Sequence, residues 1–324
     1  MNNYPFFIAG CGRSGTTLLR TLLNRHPAIA IPLESLFIID YLRVQERYDL
    51  KYLNSLVVKE PELEEWGISV SAEDLLDSVS VPRMISKLHE IYAESKGKSR
   101  WGQKTPRFVR YLDLLGKNFP SSKVIHMVRD PRAVVSSLIQ SDVHQSNAYH
   151  GSHRWKMDVR AGLTYELTHS SRVLRVFYED LVKEPEEVLK AIFEFLEMDS
   201  AGMTISGEKK TQEYSDFYEN IHANLERSPT PAFINKWKQH LSSQEVLIIE
   251  GICGELMGEL GYECSSTSDP PPVFTSRKAR FQRVKGILRQ MSRYLMYRRS
   301  YLFHLIWRKW KLGLLKDFLW TVNY

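Results

Sequence analysis

Residues 10–17, Gly-Cys-Gly-Arg-Ser-Gly-Thr-Thr, constrain this chain more than any other stretch. The apolar run Pro5-Phe6-Phe7-Ile8-Ala9 before them reads as a buried strand, and Leu18 to Asn24 after them as a helix with Leu18, Leu19, Leu22 and Leu23 on one side. Strand, glycine turn and helix start together make an anion cradle: the glycines let several backbone N–H groups face one anion, and the helix end adds unpaired donors and its positive dipole pole. Thr16 and Thr17 add hydroxyls. The spacing Gly10-x-x-x-x-Gly15 matches the front of the nucleoside-triphosphate loop, yet Thr16 stands where that loop carries lysine. A lysine there reaches the outer phosphates of ATP or GTP, so its loss argues against a kinase or triphosphatase, and Arg13 inside the loop supplies the cation instead.

At 324 residues the chain can bury one large domain or one domain with an appendage. No run approaches the roughly 18 consecutive apolar residues of a membrane span. The first strand starts almost at once, which leaves no room for a signal peptide and places the catalytic body in the cytosol, with peripheral contact at the inner membrane face as an extension of that expectation. Cys11, Cys253 and Cys264 fit neither a metal spacing nor a disulfide framework. Cys11 sits where a helix start can lower its pKa, and as a small residue that fits the loop it needs no such role. The net charge of +6 is unevenly spread: from Arg277 onward 13 Lys and Arg face one acid, Asp317, so that segment carries +12 and residues 1–276 carry −6. The basicity belongs to the tail, and a nucleic-acid-binding body is not implied.

His26-Pro27 closes the first helix, and Ile29-Ala30-Ile31 reads as a second strand. Glu34 follows at a strand-to-helix junction, where a lone acid is also simply favourable to the helix dipole. Asp40 to Ser99, charged and broken by Pro61, Gly67 and Pro82, reads as a helical excursion that could carry acceptor specificity. In Trp101-Gly102-Gln103-Lys104-Thr105-Pro106, Thr105 as N-cap and Pro106 open a helix with Phe108, Leu112 and Leu115 inward, and Lys104 stands just ahead of it. Val124-Ile125-His126-Met127-Val128 is apolar enough for a parallel strand covered on both faces. Asp130 and Pro131 then start a helix through Ile139, and Arg129 at the strand end with Ser137 on the helix forms a second candidate anion site; a structural ion pair is the other reading of Arg129. His144, His150 and His153 are too loosely spaced for a metal cluster and read as a mobile polar loop. Val173–Phe177 is a further strand, and Pro185–Leu196 an amphipathic helix. Gly207–Arg227 reads as a polar cover carrying Tyr214, Tyr218 and Arg227, and Ser242-Ser243-Gln244-Glu245 as a capping box opening the last body helix. Residues 1–263 thus form the body, 264–276 a Ser/Thr/Pro-rich linker, and 277–324 a basic helical tail with ten aromatics that suits an anionic lipid surface, a docking partner, RNA, or the body's own acidic face.

Gly-Cys-Gly-Arg-Ser-Gly-Thr-Thr after the first strand and Val-Ile-His-Met-Val-Arg-Asp-Pro-Arg-Ala-Val-Val-Ser-Ser from residue 124 together resemble the two nucleotide signatures of sulfotransferases that use 3′-phosphoadenosine 5′-phosphosulfate (PAPS). Tyr178-Glu179-Asp180-Leu181 resembles a third family element. The similarity runs from about Pro5 to Tyr262 and lies nearest the protein-tyrosine sulfotransferases and related bacterial and carbohydrate enzymes. It implies an α/β phosphate-loop fold of three layers, a central parallel sheet flanked by helices, here with the basic helical C-terminal extension. It implies further that Arg13, Ser14, Gly15, Thr16 and Thr17 hold the 5′-phosphosulfate, that Arg129 and Ser137 hold the 3′-phosphate, and that Tyr178 and Arg227 close over the nucleotide. Arg227 stands where tyrosine-directed relatives carry lysine, and Ser141 where they carry a further arginine. By the same resemblance Glu34 is the general base toward an acceptor hydroxyl of a peptide, saccharide or glycolipid, and Arg13 and Lys104 stabilise charge on the sulfuryl and bridging oxygens; no metal is implied. The competing readings are a magnesium-dependent nucleotide kinase or triphosphatase, and a noncatalytic nucleotide-binding adaptor at a membrane.

Overall fold

The computed structural model describes residues 4–141, 146–199, 230–265 and 299–317, with some residues of 277–298 between them. Its centre is a five-stranded parallel sheet in the order β2-β3-β1-β4-β5, built from β1 Phe6–Gly10, β2 Ile29–Ala30, β3 Arg100–Lys104, β4 Lys123–Val128 and β5 Val173–Phe177. β1 is the middle strand, and all five of its residues are buried. Alternation along it feeds two cores: Phe7 and Ala9 join one cluster, Phe6 and Ile8 the other. The first cluster is covered by α2 Phe37–Val44, α3 Leu50–Val57, α5 Val81–Ser95 and α6 Leu112–Asn118, with the short α4 Pro61–Glu65 between α3 and α5. The second is covered by α1 Thr16–Leu23, α9 Tyr178–Lys183 and α10 Pro185–Phe195. Beyond the carboxyl ends of the strands, α7 Pro131–Gln140, α8 Ala148–Thr168 and the Ser243–Glu259 helix enclose a third apolar cluster around Trp155 and Ile249. The expected three-layer α/β architecture is what forms, including a helix, Arg299–Lys311, in the C-terminal extension. Among the described residues no helix is long and apolar enough to cross a membrane.

Three stretches differ from the sequence expectation, one of them, residues 105–111, beside the site described below. Arg100–Lys104 is a fully buried strand, although its polar composition does not look like one. Gly102 pairs with Phe6 across the sheet, and a Cβ there would sit 2.4 Å from the Phe6 ring, so a bare backbone is what lets β3 lie beside β1. Gln103 is kept in the interior by hydrogen bonds from its amide to Leu33 O (3.1 Å) and Thr105 Oγ1 (3.1 Å). The second correction concerns His150 and His153, which lie in the first turns of the 21-residue helix α8 rather than in a mobile loop. Asn147 caps that helix by accepting from His150 N at 2.9 Å; His144 lies outside the described residues. The capping box at Ser242 and Glu245 forms as expected.

β4 and α8 meet at a buried histidine. A Cβ at Gly162 would lie 2.2 Å from the His126 ring, so the helix approaches the strand through its glycine. Burial, reinforced by Arg175, pushes His126 down to about 3, and burial pushes His89 down to about 4. Both are therefore neutral in the fold, and the stability they contribute is present above the unfolded histidine value and lost as pH falls toward the folded ones. Urea unfolding followed by circular dichroism should show wild-type stability dropping from pH 6.5 to 4, with up to about 3 kcal/mol of that drop absent in His126→Leu; an equal drop in both proteins removes His126 from the acid limb.

Candidate active site

The loop after β1 is shaped by backbone conformations few side chains tolerate. Gly10 has φ 151°, and a Cβ on it would sit 2.3 Å from Met127 O; Gly15, which precedes α1, has φ 86°. Arg13 between them is itself left-handed, at φ 74°. Such a conformation costs an arginine on the order of 1 kcal/mol and survives where its surroundings fix it. Here they do: Arg13 Nε donates to Ser137 Oγ at 2.9 Å, and Arg13 O accepts from Arg129 Nη1 at 3.1 Å. The loop and the β4–α7 junction, distant in sequence, are thus joined through the residues expected at the two anion sites. Among the described residues Arg129 makes no ion pair: its Nη2 donates to Phe233 O at 3.1 Å, and its guanidinium lies 3.9 Å from the centre of the Tyr178 ring. Tyr178 in turn covers Gly15, where a Cβ would come within 2.4 Å of the ring. Asp130 caps α7 through Arg132 N (2.8 Å), and Trp155 Nε1 donates to Arg129 O (2.8 Å), fixing the strand end from α8.

Several polar atoms in this pocket are buried without a hydrogen-bond partner in the protein: Ser14 Oγ, Arg129 Nε and Arg154 Nε. Positive charge is crowded here as well. Burial lowers Arg13 to about 10, and neighbouring Arg129 and Arg154 push the same way. Orphaned donors beside crowded cations fit a polyanionic ligand, because each cost is relieved when an oxyanion arrives. Cys11 beneath the loop has its thiol raised well above the usual range by burial and by Asp158, so it is an inert filler and not an activated thiol.

Lys104 and Glu34 form the other half of the site. Lys104 ends β3, fully buried, and its Nζ donates to Glu34 Oε1 at 2.5 Å and to Thr17 Oγ1 at 3.3 Å. Glu34, with 39% of its side chain exposed, thus meets solvent on one side and the buried ammonium on the other. Its backbone is clamped on both flanks: Leu33 O accepts from Trp66 Nε1 (3.2 Å) and Gln103 Nε2 (3.1 Å), while Ser35 N donates to Thr105 Oγ1 (3.0 Å). Thr105 therefore spends its hydroxyl on the Glu34 turn and makes no side-chain cap, and the Pro106–Tyr111 segment opens as a 3₁₀ turn ahead of α6. The structure brings together Arg13, Ser14, Gly15, Thr16, Thr17, Glu34, Lys104, Arg129, Ser137 and Tyr178. Arg227, Tyr214 and Tyr218 lie outside the described residues. Sequence reasoning missed Arg154 and Trp155, because α8 is so polar that its helical period is hard to see; the Arg154/Asp158 spacing of four was the available sign.

Residues 5–201 match the Sulfotransferase family, and the chain belongs to that family. Protein-tyrosine sulfotransferase 1 of Danio rerio is 31% identical over 196 residues, which cover 59% of this chain and 52% of that protein. The nodulation protein NoeE of Sinorhizobium fredii is 26% identical over 287 residues, 80% of this chain and 66% of its own. The matches to these two span about half and two thirds of the relatives' lengths. In fold, the chain is similar to the sulfotransferase domain of the Synechococcus olefin synthase, with a TM-score of 0.58 at 23% identity, covering 82% of this chain and 97% of that domain.

Gly15→Ala puts a methyl group into the Tyr178 ring at a left-handed position. It should abolish nucleotide binding and lower the unfolding free energy by about 1–3 kcal/mol; calorimetric titration beside a thermal melt checks both, and unchanged affinity removes the Gly15–Tyr178 contact from the pocket.

Proposed function

We propose that this protein moves the sulfuryl group of PAPS to an acceptor hydroxyl by in-line transfer, with Glu34 as general base. The observation that supports it most is the linkage of two anion pockets through Arg13 and Ser137. A nucleotide with groups at both the 5′ and 3′ positions needs two such sites, and a nucleoside triphosphate needs one. The donor supplies an activated sulfuryl group on a phosphate leaving group. Everything else falls to the chain. Loop N–H groups with Ser14, Thr16 and Thr17 receive the 5′ anion at the start of α1. Arg129 and Ser137 receive the 3′-phosphate, and Tyr178 closes beside them.

Lys104 lies between the two halves of the reaction, touching Thr17 on the donor side and Glu34 on the acceptor side. In the transfer it turns its charge toward the oxygen that leaves, which frees the Glu34 carboxylate to take the acceptor proton. Glu34 is the half-exposed partner of the pair, so an acceptor hydroxyl reaches it from solvent. Lysine delivered from β3 does here what the loop lysine does in nucleotide hydrolases, which accounts for Thr16 in the loop. The acceptor is the hydroxyl of a tyrosine or of a sugar, including one on a glycolipid; the Danio rerio relative is named for protein tyrosine.

Adenosine 3′,5′-bisphosphate should bind at least tenfold more tightly than AMP, and equal affinity removes the donor assignment. Glu34→Gln should keep that affinity and lose transfer, whereas Lys104→Met should lose on the order of a hundredfold in rate. Labelled PAPS incubated separately with tyrosine peptides, oligosaccharides and lipid extracts reads both variants and identifies the acceptor class; retained turnover in Glu34→Gln removes it as the base.

A further inference from the structure

The geometry points to Arg154 as a third guanidinium of the donor pocket, gripping the 3′-phosphate where the relatives' additional arginine is replaced by Ser141. This rests on the donor assignment above. Arg154 lies in the second turn of α8 and reaches the anion loop: a Cβ on Gly12 would come within 2.8 Å of its Nη2. Its Nε is buried without a hydrogen-bond partner, and its ion pair with Asp158 is long, at 3.8 Å. Asp158 is already engaged by Arg110 at 2.5 Å, so one carboxylate serves two guanidiniums and leaves an excess of positive charge. The neighbouring Trp155 bonds Arg129 O, which fixes the helix relative to the 3′ site. Arg154 stands at the Gly12–Arg13 end of the loop, the end from which Arg13 reaches Ser137, and not at the Thr17 end where Lys104 waits. Gly12 has no side chain because Arg154 fills the space one would occupy.

Binding of adenosine 3′,5′-bisphosphate and of AMP is measured on the full chain for wild type, Arg154→Gln, Arg154→Lys and Arg154→Gln combined with Ser141→Arg. Arg154→Gln should weaken bisphosphate binding about 30-fold and leave AMP within a factor of about two. The lysine variant should recover part of the loss, and Ser141→Arg most of it. Equal losses for both ligands, or none, overturn the assignment while the donor reading stands. If wild type itself does not prefer the bisphosphate, both fall. Thermal melts of each variant separate loss of contact from loss of fold.

A second, independent observation concerns the helix Arg299–Lys311, and from it we infer a surface that seats on an anionic lipid bilayer. The helix buries Leu302 and Leu305 against the body, yet leaves other apolar residues outside and takes two cations in. Arg308 and Lys309 face the body and are buried against Asp40, Glu60 and Glu62, while Phe303, Ile306 and Trp310 face outward. Phe303 is 55% and Trp310 59% exposed. With Arg299 these positions share one helix face, flanked by Lys311 over the Trp310 ring. Phe281, Leu288, Leu295 and Met296 are also exposed in the preceding stretch. Aromatic and aliphatic groups ringed by cations are what a headgroup boundary accepts. The charge favours an anionic leaflet as the occupant, because even with Arg308 and Lys309 paired inside, the segment keeps a large excess of cations, each worth about 1 kcal/mol near such a surface.

Co-sedimentation of the full chain with vesicles of phosphatidylcholine alone, and with about one third phosphatidylglycerol, reads this surface. Binding should be at least tenfold tighter to the anionic vesicles, weaken with salt, and fall at least tenfold in Phe303→Ser/Trp310→Ser, with bisphosphate affinity unchanged. No sedimentation with either vesicle overturns the proposal. So does a dimer in light scattering that Trp310→Ser dissociates, which assigns the face to a second copy.

Discussion

Crowded positive charge around a tight backbone turn governs this structure. Arg129 and Arg154 both bear on Arg13 at the loop, and the Asp158 that pairs with Arg154 is shared with Arg110. Like charges in a partly desolvated pocket repel, and an anion lying among them relieves that cost. The fold tolerates the arrangement because rigid elements impose it: Gly10 against Met127, Gly15 under Tyr178, and Arg13 held left-handed by Ser137 and Arg129. An anion arriving at such a loop would meet donors already in place, which is how preorganisation turns a cost in stability into affinity.

The same logic explains why β3 is polar. A buried strand of Val and Ile would pack better in isolation, but it would leave Glu34 without a clamp. Gln103, Lys104 and Thr105 run consecutively through the end of β3, and each touches the Glu34 turn or its carboxylate. The sheet gives up apolar burial on one strand to carry three polar groups to one place, each of them hydrogen-bonded.

That trade also marks the limit of what the amino-acid pattern reveals. Strands β1, β4 and β5 and the anion loop are legible, because burial on both faces demands apolar runs and a cradle demands glycines. Lys104 and Glu34 are legible only through resemblance, since a lysine before a helix and an acid after a strand are ordinary. β3 is illegible by periodicity because its side chains answer to the site and not to the core. α8 is hidden for a related reason: Arg154, Asp158 and Gly162 stand on its inward side, where an apolar stripe would announce a helix, and each is there to meet a loop, an arginine or the His126 ring.

The C-terminal helix is fastened to the body by buried charge as well as by Leu302 and Leu305. Arg308 bonds Asp40 of α2 and Glu60 and Glu62 beside and within α4, and Lys309 takes the other oxygen of Asp40. Two cations face three buried carboxylates, and the imbalance shows in opposite directions: Glu60, bonded by Arg308 and His304, is held below the usual range, while burial and Glu60's charge hold Glu62 above it. Replacing such a network by apolar residues is often harmless, whereas removing one member leaves an unpaired buried charge at about 3–5 kcal/mol. Asp40 stands in the first turn of α2, and Glu34 lies just before that helix. A basic segment remote in sequence is therefore fastened, through Asp40, to the helix that follows the Glu34 turn, so the outward aromatic face and the inward carboxylate clamp are two sides of one helix.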